Sequence, residues 1–264
     1  MNLIECIMTN SSCYKGTTTG VPVGVLWHDT AAGNPDLKRY VQPSKDDPDR
    51  EKLLKLLGVN KNGNDWNSTA VQAGLNAWIG KLADGSIATV QALPWNYRPW
   101  GCGKGSKGSC NGDANVKNSP FWLQFEICDD AWSNAKNDYA NGTKEYFDKV
   151  YKEAVEFTAF LCKMFNIDPN GSVQYNGVTV PTILCHADAY KLGLGSNHGD
   201  VLQWFNKYGK TMADVRKDVK AQLNQNSTIY RVQVGAFRVK ANAEAYLKTV
   251  QKYFPDAYIT TAKK

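Results

Sequence analysis

Several kinds of functional feature are scarce or missing in this sequence. Its 264 residues include only three histidines, and its seven cysteines include no CxxC pair. Zinc-ribbon spacing is thus absent, and we expect no structural zinc site. No apolar run approaches the roughly 18 residues that a membrane-spanning helix needs, and no dense run of Lys and Arg suggests a nucleic-acid-binding surface. We therefore expect neither membrane insertion nor a nucleic-acid partner.

The first eight residues also lack the features of a secretory signal peptide. They contain Glu5, and they have neither a basic start nor a sustained apolar stretch. We expect synthesis in the cytosol, where a reducing environment keeps most cysteines as free, buried thiols. Residues 101–119 are rich in Gly, Ser, Lys and Asn and are predicted to form a surface loop. Cys102 and Cys110 lie in this loop and could pair after release from the cytosol.

Apolar residues are plentiful enough for a large folded core. They make up 42% of the chain, and the net charge of +6 fits either ordinary solubility or attraction to an anionic polymer. Apolar runs predict strands, apolar residues at helical spacing predict helices, and Asp84-Gly85 predicts a hairpin turn. The predicted strands cover residues 21–27, 75–80, 86–93, 121–128 and 179–185, and the predicted helices cover residues 49–57, 146–165, about 200–208 and 211–223.

The pattern changes after residue 222. Residues 223–228 are polar and without periodicity, so we predict a linker there. Residues 229–264 follow with a strand, a helix over about 241–253 and a second strand, which together make a small β-α-β unit. A unit of this size does not easily bury a stable core on its own.

The three histidines occupy suggestive positions. His28 directly follows the predicted strand 21–27, and His186 directly follows the strand 179–185. Side chains at strand ends converge at one edge of a sheet, where ligand sites form. His198 lies in the loop just beyond His186 and is followed closely by Asp200. Three nitrogen or carboxylate ligands and an open position are the pattern of catalytic zinc, whereas a structural site would need a fourth protein ligand.

Five segments, in chain order, carry a resemblance to a known family. Residues 25–35 contain Trp27-His28-Asp29, and residues 184–204 contain Cys185-His186 and Ser-Asn-His198-Gly-Asp200. Between these two motifs lie an Asp-Gly hairpin, a loop and a strand that ends on a glutamate, over residues 76–87, 95–103 and 118–126. As a set, these segments resemble the type 2 N-acetylmuramoyl-L-alanine amidases, which include phage endolysins and peptidoglycan-recognition proteins. The likeness covers residues 2–222 and implies an α/β fold, a central mixed β-sheet flanked by helices.

The resemblance implies a zinc ion held by His28, His186 and one further ligand. The segment His198-Gly-Asp200 fits the family's element for that ligand, with Asp200 on the metal and His198 in place of a lysine. The loop after His186 is longer than is usual in the family. An alternative therefore places His198 on the metal, with Asp200 behind it.

The same resemblance assigns the remaining roles at the site. Glu126 would be the general base, and period-2 alternation places it with Gln124 on the strand face opposite Leu123 and Phe125. His198 would be the cation that stabilises the oxyanion. Three residues in the loop beside the expected groove would contact the substrate: Tyr97, Arg98 and Trp100.

These features predict a zinc amidase catalytic domain at residues 1–222. The implied protein is a phage or prophage endolysin, made in the host cytoplasm without a signal peptide and active on the cell wall after release. It would hydrolyse the amide between N-acetylmuramic acid and L-alanine of peptidoglycan. A non-catalytic peptidoglycan-binding protein on the same fold is the alternative, although binding-only relatives usually lack a metal ligand. A wall-targeting assembly protein is a third reading, and the long amidase-like segment argues against it.

The C-terminal unit carries a second resemblance. Residues 230–237, followed by residues 241–247, resemble the first half of a SPOR peptidoglycan-binding repeat. The second half of that repeat is absent, so residues 229–264 are expected to be a truncated SPOR-like unit for wall binding or dimerisation. A decayed remnant or a disordered tail is the alternative. An unpaired sheet edge and an apolar helix face would favour completion by a second copy in a homodimer.

Overall fold

A six-stranded sheet and the helices around it make up the larger part of the protein. The computed structural model describes residues 1–225, 236–237, 239–251 and 258–259. The strands are β1 (Leu3–Glu5), β2 (Val21–Asp29), β3 (Ala77–Lys81), β4 (Ile87–Gln91), β5 (Pro120–Ile127), β6 (Ser172–Tyr175), β7 (Val178–Pro181) and β8 (Ile183–Cys185). The α-helices are α1 (Ser12–Gly16), α2 (Arg50–Leu57), α3 (Lys144–Phe165), α4 (His186–Lys191), α5 (Leu202–Phe205), α6 (Met212–Gln225) and α7 (Lys240–Val250).

The order of strands in the main sheet is β1-β4-β3-β5-β2-β8. Strands β3 and β4 form the antiparallel hairpin predicted around Asp84-Gly85, and the other neighbouring pairs are parallel. Strands β6 and β7 form a separate two-stranded hairpin. The prediction of an α/β fold with a central mixed sheet flanked by helices is confirmed.

Helix α3 covers one face of the sheet. Its N-terminus is capped by Thr143, whose side chain accepts a hydrogen bond from the Tyr146 backbone N–H, and Asn166 ends it in the left-handed conformation at φ 54°. On that sheet face the Phe125 ring packs against Trp27 and Phe157, at centroid distances of 5.0 and 5.4 Å. Alternation then leaves the next residue along β2 and β5 on the opposite face.

The register of three parallel strands brings the predicted site residues together. Strand β2 lies between β5 and β8, with His28 opposite Glu126 and Trp27 opposite Cys185. Because the carboxyl ends of these strands lie at the same sheet edge, His186, which follows Cys185, comes next to His28. The core packing of Trp27 and its neighbours therefore fixes the position of the site.

Some predicted elements differ from the observed ones. The predicted strand 179–185 is two strands, because its two ends pair with different partners: β7 pairs with β6 through the turn Asn176-Gly177, whereas β8 pairs with β2 in the main sheet. The predicted helix over about 200–208 is shorter, with α5 followed by a 3-10 turn at Asn206–Tyr208. Strand β1 and helix α1 were not predicted, since elements of three and five residues show no periodicity.

The chain divides into two compact units, residues 1–225 and 226–264. Helix α6 continues through Gln225, which is three residues into the predicted linker. In the second unit, α7 matches the helix predicted over about 241–253. The strands predicted on either side of α7 lie mostly outside the described residues. Within the described part of the chain, none of the helices combines the length and apolar character needed to cross a membrane.

Candidate metal centre

Three buried side chains converge at the carboxyl ends of β2 and β8. The Nδ1 atoms of His28 and His186 are 3.1 Å apart. The Asp200 carboxylate faces both rings, with Oδ2 3.0 Å from His28 Nδ1 and Oδ1 3.4 Å from His186 Nδ1. One ligand atom from each residue lies within 4.8 Å of the others. Two imidazole nitrogens and a carboxylate in this arrangement could hold a metal ion.

Local structure explains why these residues meet. His28 is the penultimate residue of β2, and His186 is the first residue of α4, directly after β8. The loop that follows α4 returns to the same place, because the Ala187 backbone N–H donates to the Asp200 carbonyl at 2.9 Å. This hydrogen bond holds Asp200 beside Ala187, the residue that follows His186 in the sequence.

The charge of Asp200 is set by its two histidine neighbours. Burial alone would raise the pKa of this carboxyl, but hydrogen bonds with His186 and His28 more than offset burial and hold the pKa below its usual range. An ionised carboxylate is the form that binds a metal. The geometry and the charge thus favour Asp200 over His198 as the third ligand.

His198 lies on the outer side of this group. It is exposed, and its Nδ1 is 3.0 Å from the Ser196 hydroxyl, which is also 3.2 Å from His186 Nε2. The rings of His186 and His198 are 4.5 Å apart between centroids. His198 is therefore linked through Ser196 to the buried group of His28, His186 and Asp200 while remaining open to solvent.

Glu126 is half-buried and lies on the same face of the sheet as His28. It lies opposite His28 across the β2–β5 pair. Burial raises its pKa well above the ordinary value, and the negative charges of Asp200, Asp29 and Asp129 raise the pKa further. A carboxyl whose pKa is shifted toward neutrality, next to a group of metal ligands, is suited to accept and return a proton.

The three residues predicted to contact substrate have different surroundings. Arg98 is buried, and its guanidinium donates to Thr18 Oγ1 at 2.9 Å and to the carbonyls of Asn111 and Gly112 at 3.1 and 3.0 Å. These contacts favour a structural role for Arg98. Tyr97 and Trp100 are half-buried, and Tyr97 stacks on Tyr14. Both retain aromatic surface for a ligand.

Two carboxylates close to His28 were not predicted. Asp29 is buried and accepts from the Tyr139 hydroxyl and from the Ala31 N–H at 3.2 Å. Asp129 is fully buried and accepts from five backbone or hydroxyl donors in the two loops after β2 and β5. These donors are Thr30 Oγ1, Ala32 N, Gly33 N, Ala131 N and Trp132 N. An acid just after a strand end is the signal that could have drawn attention to both.

The cysteines lie in the interior of the first unit. All seven are buried thiols in the structure. The thiols of Cys102 and Cys110 are neighbours, and the hydrogen bond between them, together with burial, raises the pKa of Cys110. The residues flanking the Gly-rich loop are thus held in the core beneath it.

Comparison with known proteins gives matches to both parts of the chain. Residues 226–264 match the SPOR domain family. This match confirms the SPOR-like segment predicted from the sequence. No curated protein sequence matches the chain.

Solved structures with a similar arrangement include three chains of low sequence identity. One is the Staphylococcus aureus hydrolase AmiA in complex with its ligand, with 16% identity, a TM-score of 0.48, and coverage of 86% of this chain and 85% of that chain. The PlyG catalytic domain has 13% identity, a TM-score of 0.45, and coverage of 87% and 100%. PlyL has 14% identity, a TM-score of 0.43, and coverage of 83% and 96%.

Proposed function

We propose that this protein is a zinc-dependent peptidoglycan hydrolase that cleaves the amide between N-acetylmuramic acid and L-alanine. The observation that carries the proposal is the buried group of His28, His186 and Asp200 beside the carboxyl of Glu126. The order and spacing of the amidase-like motifs over residues 2–222 support the choice of substrate.

His28, His186 and Asp200 would hold the zinc ion. Zinc bound there supplies a Lewis acid that polarises the scissile carbonyl and lowers the pKa of a water molecule. The exposed ring of His198 lies beside this group, 4.5 Å from the His186 ring between centroids. The carbonyl of the substrate would enter from the side of His198.

Glu126 would move the proton during hydrolysis. In its ionised form it accepts the proton of the attacking water, and it then delivers this proton to the nitrogen of the leaving L-alanine. Its raised pKa makes the second transfer easier than it would be from an ordinary carboxyl. The stem peptide departs with a free amine, and the glycan strand keeps the lactyl carboxylate.

His198 would stabilise the oxygen of the carbonyl under attack. Its ring is exposed and stands beside the ring of His186. Donation of a hydrogen bond to an oxygen that gains negative charge stabilises the transition state more than the ground state. Tyr97 and Trp100 would contact the sugar or the stem peptide.

We further propose that residues 226–264 attach the enzyme to its insoluble substrate. The match to the SPOR domain supports peptidoglycan as the partner. In the described part of this unit, α7 has no buried residue, and the rings of Phe237 and Tyr246 contact each other at 5.4 Å. A helix that buries so little would be stabilised by a second copy of the unit in a homodimer.

Light scattering tests the homodimer. We expect the full chain to have twice the monomer mass and a chain that ends at Gln225 to have the monomer mass. A monomer mass for both would contradict dimerisation through this unit.

The resemblance of residues 2–222 to phage endolysins leads us to propose that the enzyme is a phage or prophage endolysin, made in the host cytosol, that degrades the wall after release. Expression in cells with and without a membrane-permeabilising protein tests this order of events. Lysis only after permeabilisation is the expected result. Lysis without permeabilisation would contradict release as the controlling step.

Metal content and loss of turbidity of purified cell walls test the enzymatic proposal. We expect bound zinc and wall lysis in the unchanged protein, and in Glu126→Ala we expect zinc without lysis. Absence of both zinc and lysis in the unchanged protein would instead favour a non-catalytic peptidoglycan-binding protein.

A further inference from the structure

Both candidate metal histidines use their second ring nitrogen in a hydrogen bond within the protein. His28 Nε2 is 3.1 Å from Gln124 Oε1, and His186 Nε2 is 3.2 Å from Ser196 Oγ. A neutral imidazole carries its proton on one nitrogen only, so the partner of Nε2 decides whether Nδ1 is free to bind a metal.

The orientation of Gln124 follows from a backbone group. The Cys102 N–H, which can only donate, bonds to Asn111 Oδ1 at 3.0 Å. Gln124 Nε2 donates to the same oxygen at 2.8 Å. Its other amide atom, Oε1, therefore faces His28 and can only accept, so that His28 Nε2 carries the proton. His28 Nδ1 is left to face Asp200 and His186.

The orientation of the Ser196 hydroxyl follows from the backbone carbonyl of Cys102, the residue whose N–H orients Gln124 through Asn111. The Cys102 carbonyl, which can only accept, is 3.3 Å from Ser196 Oγ and 2.9 Å from the Ser196 N–H. The Ser196 hydroxyl proton is thereby directed to Cys102. The lone pairs of the hydroxyl remain for His186 Nε2–H and for His198 Nδ1–H, so His186 also presents Nδ1 to the metal position.

The backbone around Gln124 is shaped for this contact. Gln124 is buried, with 1% of its surface exposed, and its N–H donates to Asn76 Oδ1 at 3.0 Å. A Cβ atom on Gly101 would lie 2.5 Å from Leu75 Cδ2 and 2.6 Å from Gln124 Oε1, so a larger residue there would require these two side chains to shift. The loop at residues 101–119, predicted to lie at the surface, thus contacts the side chain of Gln124.

We propose that Gln124 and Ser196 are positioning residues that fix His28 and His186 as Nε2–H tautomers, with the N–H and carbonyl of Cys102 setting the direction of both hydrogen-bond chains. The inference rests on the proposed function, because the ion that the two Nδ1 atoms would bind is the proposed zinc. Loss of such an outer partner commonly weakens metal binding by about 10- to 100-fold.

Nitrogen NMR of the zinc-loaded full chain reads the tautomers directly. With only three histidines in the sequence, two-bond proton–nitrogen correlations can be assigned by single substitutions. We expect His28 and His186 to show zinc on Nδ1 and a proton on Nε2. Zinc on Nε2 of either ring would overturn the proposal while leaving a zinc site in place.

Competition for zinc with a chelator measures how much Gln124 and Ser196 each contribute to zinc affinity. We expect Gln124→Leu to weaken zinc binding by about 10- to 100-fold, and Ser196→Ala to weaken it less, because solvent can replace the half-buried hydroxyl. Gln42→Leu is the matched control. Gln42 is also a buried glutamine, bonded to the carbonyls of Lys38, Val41 and Gly58, so its loss should lower stability and leave zinc affinity unchanged.

Substitution of Asn111 tests the hydrogen bond between Asn111 and Gln124 while leaving Gln124 and Ser196, the partners of the two histidines, unchanged. Asn111→Asp keeps an oxygen that accepts from both Cys102 N–H and Gln124 Nε2, so it should preserve zinc affinity. Asn111→Leu removes that oxygen and should weaken zinc binding, as Gln124→Leu does. Equal affinities in the unchanged protein and in the Gln124 and Asn111 leucine variants would overturn the proposal with the zinc site intact. Failure of the unchanged protein to bind zinc would overturn both this inference and the proposed function.

Discussion

The two halves of the candidate metal centre are built in different ways. His28, Gln124 and Glu126 lie on β2 and β5, where a continuous parallel pairing fixes their spacing. His186, His198 and Asp200 lie on α4 and the loop after it, and that loop is held by a few separate hydrogen bonds. We call these the strand half and the loop half. The comparison teaches that strand pairing fixes the backbone of the strand half, whereas separate hydrogen bonds hold the backbone of the loop half. The loop at residues 101–111 supports side chains in both halves, through Asn111 to Gln124 and through the Cys102 carbonyl to Ser196.

The strand half should show the largest loss of activity. In Glu126→Gln the side chain keeps its shape and loses its ability to take a proton, so we expect wall hydrolysis to fall by about 10²- to 10⁴-fold. Zinc content should stay unchanged, since Glu126 is not in the ligand group. Turbidity assays with zinc analysis measure both. Activity within a few-fold of the unchanged enzyme would remove Glu126 from the reaction.

Substitution in the loop half should have a smaller effect on catalysis. In His198→Ala we expect kcat to fall by about 10²- to 10³-fold, the usual cost of a lost oxyanion donor. Zinc should remain, because His28, His186 and Asp200 are intact. Steady-state kinetics on a soluble muropeptide test this. A rise in KM with unchanged kcat would show that His198 only binds substrate.

Substitutions at Arg98 and Trp100 should distinguish a residue that stabilises the fold from one that binds substrate. Arg98→Leu removes a buried cation with three hydrogen bonds, so we expect the free energy of unfolding to fall by about 2–3 kcal/mol with little change in KM. Trp100→Ala should raise KM for wall fragments. Denaturant unfolding and kinetics on both variants decide the matter, and a higher KM in Arg98→Leu at unchanged stability would return Arg98 to the substrate site.

The smallest expected effect is on the pH dependence of stability. The pKa of Glu126 is raised in the folded protein, mainly by burial, so its protonated form stabilises the fold. This contribution is complete below the ordinary carboxyl pKa of about 4.3 and is lost as pH rises through the folded value. In the metal-free protein, Glu126→Gln should therefore raise Tm at pH 7–8 and leave it unchanged near pH 4. The same Tm difference at both pH values would contradict this reasoning.

The same comparison explains how much of the site could be predicted from the sequence. His28 was predicted from its place at a strand end, and Glu126 from the family resemblance together with period-2 alternation. The register of β2 and β5 places these two residues side by side. The choice of Asp200 over His198 as the third ligand rested on the family resemblance, because a loop has no periodicity that predicts which side chain turns inward. In the structure the Ala187 N–H donates to the Asp200 carbonyl, and the Asp200 carboxylate faces both His28 and His186.

The supporting residues were harder still to predict. Gln124 was on the correct strand face, but its role depends on Asn111 and Cys102, which approach from a loop predicted only as surface. Arg98 was predicted to contact substrate because of its place in sequence, and only the three-dimensional contacts of its guanidinium favour a structural role. Contacts between distant loops leave no local pattern in the sequence.

Zinc binding by two alanine variants tests the central claim most directly. After dialysis at neutral pH, we expect the unchanged protein and His198→Ala to retain one zinc per chain. We expect Asp200→Ala to retain little or none, because the Asp200 carboxylate faces both His28 and His186. Retention of zinc by Asp200→Ala together with its loss from His198→Ala would contradict the assignment and place His198 on the metal.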